Sequence, residues 1–193
     1  MTKKNKVKEK KKMILEAMKT CLEKNVYSQI SIEKIAKEAG LSKGGLRHYY
    51  PSKEALYMGL IEDFFSRIQM DQKEIIRDLS GKDKVFVSTM FGIERFMLDK
   101  KNIRIFINLI LYGFEDEKIM RPIQMFLQAH MNVFAEIIME YRKEKGSTYH
   151  TDEKFLARIS QILLLCSGIF ESIDPQKVDI MSLIEYIQDQ LKQ

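Results

Sequence analysis

The sequence predicts an all-α protein, in which a small N-terminal helix-turn-helix unit precedes a larger helical body. Only three prolines and nine glycines interrupt its 193 residues, and the apolar–polar alternation typical of β-strands is absent. Apolar residues instead recur three and four positions apart along most of the chain. This pattern indicates about nine helices, enough to bury a hydrophobic core.

The first four helices are defined by their caps and breakers. Helix one has a single apolar face, and helix two begins after Ser31 as its N-cap. Ser42 caps a third helix that Pro51 stops, and Ser52 caps a long fourth helix that runs to about residue 79. The apolar face of helix one comprises Ile14, Ala17, Met18, Cys21 and Leu22.

The rest of the chain is a series of helices separated by acidic, glycine-containing or proline-containing breaks. Their predicted ranges, each uncertain by about 2–4 residues at its ends, are 83–99, 102–114, 118–145, 152–173 and 177–191. We therefore predict two domains, residues 1–51 for the helix-turn-helix unit and residues 52–193 for the helical body.

Positive charge is concentrated at the N-terminal end. Residues 1–60 contain 14 Lys and Arg against 6 Asp and Glu, whereas residues 61–193 contain 18 against 21. The net charge of +5 therefore comes from the first part of the chain. This asymmetry favours a polyanion-binding segment joined to a neutral or acidic body. The lysine-rich start, residues 3–12, is expected either to contact phosphate or to be a solvated tail.

The sequence argues against several functional classes. No apolar segment or cleavage site of a secretory signal follows the basic start, and the apolar stretch 162–170 is shorter than a bilayer span, so a cytoplasmic location without a membrane partner is expected. Three histidines and scattered carboxylates show no metal-ligand or nucleophile pattern, so we expect neither an enzyme nor a metal or cofactor. Cys21 and Cys166 are expected to be reduced core residues.

The segment that begins at Ser31 meets the requirements of a helix-turn-helix. Ala36 is the small residue where the two helices cross, and Gly40 supplies the turn. The second helix is clamped onto the first by Ile35, Ala39, Leu41, Leu46 and Tyr49. The residues left for the outward face are Lys43, Gly44, Gly45, Arg47 and His48. Glycine costs about 1 kcal/mol in a helix interior, so this pair indicates close approach of another backbone. The basic side chains beside it can reach base edges in a DNA major groove.

The segment Ser31 to Leu60 resembles the DNA-binding domain of the tetracycline-repressor (TetR) family of bacterial transcriptional regulators. The matching residues are Ile35-Ala36, Ala39-Gly40-Leu41-Ser42, Gly44, Leu46, Tyr49-Tyr50 and Ser52-Lys53-Glu54-Ala55-Leu56. The resemblance implies that bases or the adjacent backbone are faced by Lys43, Gly44, Arg47 and His48, and phosphates by Ser31, Gly45, Tyr49 and Lys53. Adding the cap Ser42 completes the predicted DNA-binding set. The family usually has Tyr at position 47, so Arg47 is expected at either a phosphate or a base. Tyr50 is expected in the core.

The resemblance also implies a homodimer that binds a palindromic operator in double-stranded DNA. One helix-turn-helix reads few base pairs, so two copies engage two half-sites. The last two helices carry more apolar surface than a single subunit needs. The predicted dimer interface is Phe155, Ile159, Ile162, Leu163, Cys166, Ile169, Phe170, Ile180, Leu183, Ile184 and Ile187.

A small-molecule effector site is the third expectation from the resemblance. The middle helices are rich in Met and Phe, and the predicted pocket residues are Phe86, Met90, Phe91, Arg95, Asn108, Tyr112, Met125, Gln128, His130 and Met131. The expected function is a ligand-responsive transcriptional regulator, a repressor that a small, mostly apolar effector releases from its operator. The alternatives are an activator of the same fold and a non-catalytic helical interaction protein with a basic nucleic-acid-binding end.

Overall fold

Nine α-helices make up the described part of the chain, which in the computed structural model is residues 3–146, 151–174 and 176–192. Within these ranges there is no β-strand, and the predicted fold class is confirmed. In chain order the helices are α1 (Lys3–Lys24), α2 (Ile32–Glu38), α3 (Lys43–Tyr49), α4 (Lys53–Ile75), α5 (Gly81–Ile93), α6 (Lys100–Glu115), α7 (Glu117–Lys145), α8 (Glu153–Ile173) and α9 (Ile180–Lys192). A 3-10 turn, Tyr27–Gln29, follows α1, and a π-helical turn, Glu94–Leu98, follows α5.

The predicted caps fix the starts of α2, α3 and α4. In each case a serine hydroxyl oxygen accepts a hydrogen bond from the backbone N–H three residues on: Ser31, Ser42 and Ser52, at 3.2, 3.0 and 3.0 Å. Gly40 has a φ of 64°, a left-handed conformation that glycine adopts without steric cost. The chain therefore turns between α2 and α3 where the sequence predicts.

Three helix boundaries differ from prediction. The fourth helix, expected to run to about residue 79, ends at Ile75. The helix expected over 83–99 ends at Ile93 and continues as the π-helical turn, in which Asp99 N donates to Glu94 O at 2.9 Å, five residues back. Apolar spacing does not distinguish this widened turn from an α-helix. The last helix begins at Ile180 rather than residue 177, because the Asp179 carboxylate accepts from Met181 N and the Ser182 hydroxyl and so caps the helix there.

The chain divides into two compact units. The first unit comprises Met1–Arg67 and Arg104–Gln124, and the second comprises Ile68–Ile103 and Met125–Gln193. Parts of α4, α6 and α7 thus belong to each unit. The division at residue 51 proposed from sequence divides the chain by expected function, whereas these two units are defined by packing. The division by function stays a prediction.

The core of the first unit is formed mainly by the inward faces of α1 to α4. Fully buried side chains are Ile14, Met18, Leu22, Ile35, Leu46, Leu56, Tyr57 and Leu60. Each such burial contributes about 1.5–3 kcal/mol relative to an exposed side chain. Cys21 is buried among them, as predicted.

The core of the second unit is formed by α5, α7, α8, α9 and the π-helical turn. Its members include Val85, Ile93, Met97, Phe134, Ile138, Leu156, Leu164, Ile184 and Ile187. Gly168 of α8 lies directly against the π-helical turn. A Cβ on this glycine would fall 1.7 Å from Phe96 O and 2.6 Å from Ile103 Cδ1. A residue with a side chain therefore does not fit at this position without moving the backbone.

The helix α8 has an exposed apolar face. Among the helices that the structure describes, it alone is long and apolar enough to cross a membrane by length and composition, which the stretch 162–170 considered by itself did not indicate. A helix that packs in a core or between subunits has the same composition. Cys166 is exposed on α8, so the prediction that it is a core residue is wrong. The helical spacing placed it on an apolar stripe, but that stripe faces outward.

Candidate nucleic-acid interface

The helix α3 is held in place by its apolar side and its two ends. Leu46 is fully buried, and Tyr50, the residue that ends the helix, is 7% exposed. Leu41 N donates to Ala36 O at 2.8 Å across the turn. The outward side of α3 is therefore fixed relative to α2 before any ligand is present.

The outward side of α3 is basic and open. Lys43, Arg47 and His48 are exposed, as expected from the sequence. A Cβ on Gly44 would meet no atom within 4 Å, so nothing in the described protein requires glycine there. Gly45 differs, because its Cβ would lie 3.2 Å from Ser42 Oγ. Gly44 thus leaves open space on the surface of α3, which we call the gap at Gly44. Gly45 instead makes room for the Ser42 side chain that caps α3.

Glu33, which the sequence interpretation did not single out, forms an ion pair with Lys43. Both side chains are about half exposed. The hydrogen bond from Lys43 is the main reason that the pKa of Glu33 falls to about 2. Lys43 is therefore both solvent-exposed and paired with a carboxylate of α2, which it would exchange for DNA on binding. A carboxylate in the first turn of α2 and a lysine at the start of α3 were visible in the sequence, but their pairing depends on the crossing of the two helices.

Tyr49 and Tyr50 have different surroundings. Tyr49 is half-buried, and its ring meets that of His48 edge-on, with 5.1 Å between ring centroids. Tyr50 is buried as predicted, and burial raises its pKa to about 12. The Lys11 ammonium lies over the Tyr50 ring, 5.2 Å from its centroid. The N-terminal half of α1 therefore reaches the end of α3.

Lys53, predicted to face phosphate, is engaged by the protein itself. Its Nζ donates to Tyr27 O at 3.0 Å and lies 5.8 Å from the centroid of the Tyr57 ring. Burial lowers the pKa of Lys53. A phosphate at the start of α4 would have to compete with the Tyr27 carbonyl for this ammonium group.

Two predicted effector residues instead belong to the same cluster in the first unit. Asn108 Oδ1 accepts from Tyr27 N at 2.7 Å, and the Tyr112 ring stacks on the Tyr27 ring at 5.3 Å. The Tyr27 hydroxyl donates to Glu115, and Tyr112 also meets Tyr57 edge-on at 4.7 Å. These residues attach α6 to the turn that precedes the helix-turn-helix, and their assignment to an effector pocket stays a prediction.

The second unit contains a small, mostly apolar cavity with room for about one water molecule. Its lining is Phe96, Phe126, Leu127, His130, Gln161, Leu164 and Leu165. His130 is the one predicted effector residue in this lining, and burial lowers its pKa to about 4, so its ring is neutral at neutral pH. Its Nδ1 lies 3.4 Å from Gln161 Nε2, which donates to Leu127 O at 3.1 Å.

The remaining predicted effector residues lie elsewhere in the second unit. Phe91 and Met131 are buried in its packing, and Arg95 pairs with Asp71 at 2.9 Å. The exposed members are Phe86, Met90, Met125 and Gln128. The sequence indicated a Met- and Phe-rich region but not which face of each helix points inward. Phe96 and Gln161, which line the cavity, were therefore not among the predicted residues.

The predicted dimer surface is partly on the outside of the described chain. The exposed members on α8 are Phe155, Ile159, Ile162, Cys166, Ile169 and Phe170, and Leu163, Ile180 and Leu183 are half-buried. Ile173, 71% exposed, extends this face but was not predicted. Ile184 and Ile187, at 3% and 1% exposure, belong to the subunit's own core. The apolar face of α9 turns inward at these two positions, and their place at a dimer interface stays a prediction.

The described residues contain no group of three His, Cys, Asp or Glu side chains that could hold a metal ion.

A family model for bacterial regulatory proteins of the tetR family matches residues 14–58. The nucleoid occlusion factor SlmA of Actinobacillus pleuropneumoniae serotype 5b (strain L20) is 27% identical over 172 residues, covering 86% of this chain and 82% of that protein.

Two solved structures have the same fold. A transcriptional regulator from Saccharomonospora viridis, in complex with choline, superposes with a TM-score of 0.84 at 16% identity, covering 96% of both chains. A TetR-family regulator from Rhodococcus sp. gives a TM-score of 0.81 at 18% identity, covering 96% of this chain and 100% of that one.

The fold and the exposed basic helix α3 define a helix-turn-helix unit of the kind found in bacterial regulatory proteins. More particularly, residues 14–58 match the TetR family of bacterial regulatory proteins, as the sequence indicated, and the chain shares the fold of a solved TetR-family regulator.

Proposed function

We propose that the chain is a homodimeric repressor that binds a palindromic operator and is released by a small, mostly apolar effector in the cytoplasm. The observation that carries the DNA-binding part is the outward face of α3, where Lys43, Arg47 and His48 surround the gap at Gly44. Arginine and lysine suit guanine O6 and N7, and a gap without side chains admits the DNA backbone. Ser31, Ser42, Gly45, Tyr49 and Lys53 complete the proposed contact set.

Dimerisation through α8 gives this reader its second half-site. The exposed face of α8 has residues at alternating spacings of three and four, the seam along which two helices pack side by side. A monomer would leave this seam in water. Two copies present two α3 helices to half-sites one helical turn of DNA apart, about 34 Å.

The cavity beside His130 is the proposed effector site. Its walls are apolar except for the neutral His130 ring and the Gln161 amide, which suits an uncharged apolar molecule with one hydrogen-bonding group. With room for about one water, the described conformation excludes such a molecule, so the effector would favour a wider state. An effector that binds that state more tightly shifts the population away from operator binding.

The test of DNA recognition is selection of duplexes from a random pool by the purified protein. We expect enrichment of a palindrome, and we expect Lys43→Ala/Arg47→Ala to lose it while remaining folded by circular dichroism. No enrichment by the folded wild-type protein at moderate salt would contradict the proposal.

A second candidate function is nucleoid occlusion. It comes from the relatives named nucleoid occlusion factor SlmA, whose similarity covers most of this chain. This candidate is favoured by the extent of the similarity, which covers 86% of this chain and 82% of that protein. A screen of small molecules against the complex of the protein with its selected operator distinguishes the two candidates. A compound that both stabilises the protein and releases DNA supports the repressor. DNA binding that no compound class releases contradicts the effector-released repressor and leaves the second candidate.

A further inference from the structure

The first half of α1 is an exposed, lysine-rich helix. Residues 4–12 are all exposed, whereas Ile14 onward contributes to the core of the first unit. Six of these nine residues are lysine and one, Glu9, is acidic. Between residues 4 and 12 the helix extends about 12 Å beyond its packed part.

Nothing within the described protein explains this composition. Lys4, Lys6, Lys8 and Lys12 form no ion pair with any described residue, and the first turn of α1 has no acidic residue. Lysines close together in sequence repel one another, and cations are disfavoured in the first turn of a helix. The segment therefore gains little from its own fold and is suited to an external anion.

One of these lysines, Lys11, has a defined place next to the DNA-reading helix. Lys11 lies over Tyr50, which ends α3 and comes three residues before α4 begins. Residues four and seven positions apart share one side of a helix, so Lys4 and Lys11 continue the stripe that Ile14 and Met18 bury farther along α1. From Lys11 onward that side of α1 faces the rest of the first unit. The stripe thus changes from apolar to basic where the core ends.

The partner that fits is the phosphate backbone of duplex DNA. Six lysines over about two and a half turns match a polyanion whose charges are closely spaced, about one per 1.7 Å of duplex. A membrane-surface helix needs an apolar face beside its basic one, and Val7 is the only large apolar residue between positions 4 and 12.

We propose that residues 4–12 of α1 form a second DNA-binding element, which holds backbone phosphates next to each half-site without reading sequence. This inference rests on the proposed DNA-binding function and adds a separate contact to it. The element supplies affinity and salt dependence, whereas α3 supplies specificity.

The test compares two variants from which the same amount of charge is removed. Lys4, Lys6, Lys8 and Lys12 are changed to Gln in one, and the exposed Lys82, Lys143, Lys145 and Lys154 of the second unit are changed to Gln in the other. Binding to the selected operator and to a random-sequence duplex of equal length is measured at several salt concentrations, and folding is checked by circular dichroism.

We expect the α1 variant to bind both duplexes more weakly by the same factor, at least about tenfold at 0.1 M salt. The slope of log K against log salt should fall by about 0.9 for each phosphate that the variant no longer neutralises, whereas the control variant keeps the wild-type slope. An unchanged slope in the α1 variant overturns the inference, and so does an equal weakening in the control.

Failure of this inference and failure of the proposed function have different signatures. If the wild type selects no palindrome, the random-sequence duplex still measures the contribution of α1. Anionic phospholipid vesicles provide a further comparison. Loss of vesicle binding by the α1 variant, with its DNA slope unchanged, would assign the lysines to a membrane and overturn the inference.

Discussion

Gly168 and Gly44 are both helical glycines with opposite surroundings. A methyl group on Gly168 would overlap Phe96 O, whereas one on Gly44 would meet no described atom. We expect Gly168→Ala to lower the free energy of unfolding by about 1–3 kcal/mol or more, because the π-helical turn has to move. Gly44→Ala should keep or raise stability, by up to about 1 kcal/mol, since alanine favours a helix.

Urea unfolding measures both stabilities, and operator titration completes the comparison. We expect Gly44→Ala to weaken operator binding by roughly tenfold, because the new methyl group enters the space proposed for the DNA backbone. A Gly44→Ala protein that binds the operator like the wild type would show that DNA does not use this gap.

His130 gives the protein a pH dependence of stability. Burial lowers its pKa to about 4 in the folded protein, from about 6.5 in the unfolded chain. Between these values the unfolded chain binds a proton that the folded protein does not. The free energy of unfolding is therefore highest above pH 6.5, falls by up to about 3 kcal/mol as the pH drops, and levels off below about pH 4.

Urea titrations between pH 4 and pH 8 measure this decrease. His130→Leu removes the titrating ring from the cavity, and its stability curve should be flatter than that of the wild type between pH 4 and pH 6.5. Curves that stay parallel over this range would assign the acid sensitivity to other groups.

At the scale of single elements, α8 carries the clearest prediction. Ile162 lies in the middle of its exposed apolar face. A glutamate there would bring a charge into the proposed subunit seam, and burying an unpaired charge is strongly unfavourable. We expect Ile162→Glu to give a folded monomer by light scattering at micromolar concentration, with weakened operator binding.

Met70→Glu is the matched control, because Met70 is a 61% exposed apolar residue of the second unit outside α8. It should remain a dimer. A dimeric Ile162→Glu protein, or a wild-type protein that is already monomeric, would place the subunit contact elsewhere or remove it.

The elements themselves were largely predictable, because caps and apolar spacing act locally. Ser31, Ser42, Gly40 and the inward residues of α2 and α3 lie where the pattern places them. What sequence could not provide was the neighbour of each face. Asn108 looked like a polar group in an apolar pocket, yet it accepts from Tyr27 N, 81 residues away. Such pairings depend on how distant helices pack, which periodicity does not encode.

At the scale of the whole molecule, the proposed dimer fixes the spacing between the two DNA half-sites. Two α3 helices on one symmetric particle require half-sites on the same side of the duplex, about one turn apart. Inserting five base pairs between the selected half-sites rotates one of them by about half a turn. Affinity should then fall to that of an isolated half-site, measured by gel shift. Retained affinity would indicate that the two readers act independently.

The cluster around Tyr27 has a consequence for how this protein can be recombined with its relatives. Asn108, Tyr112 and Glu115 all contact Tyr27, and they come from a segment that follows the helix-turn-helix by more than fifty positions. A chimaera that transplants only the N-terminal helices onto another regulator would leave the Tyr27 amide without its acceptor and an aromatic surface uncovered. A functional graft must carry Arg104–Gln124 with it, so the inheritable module is discontinuous in the gene although it is continuous in space.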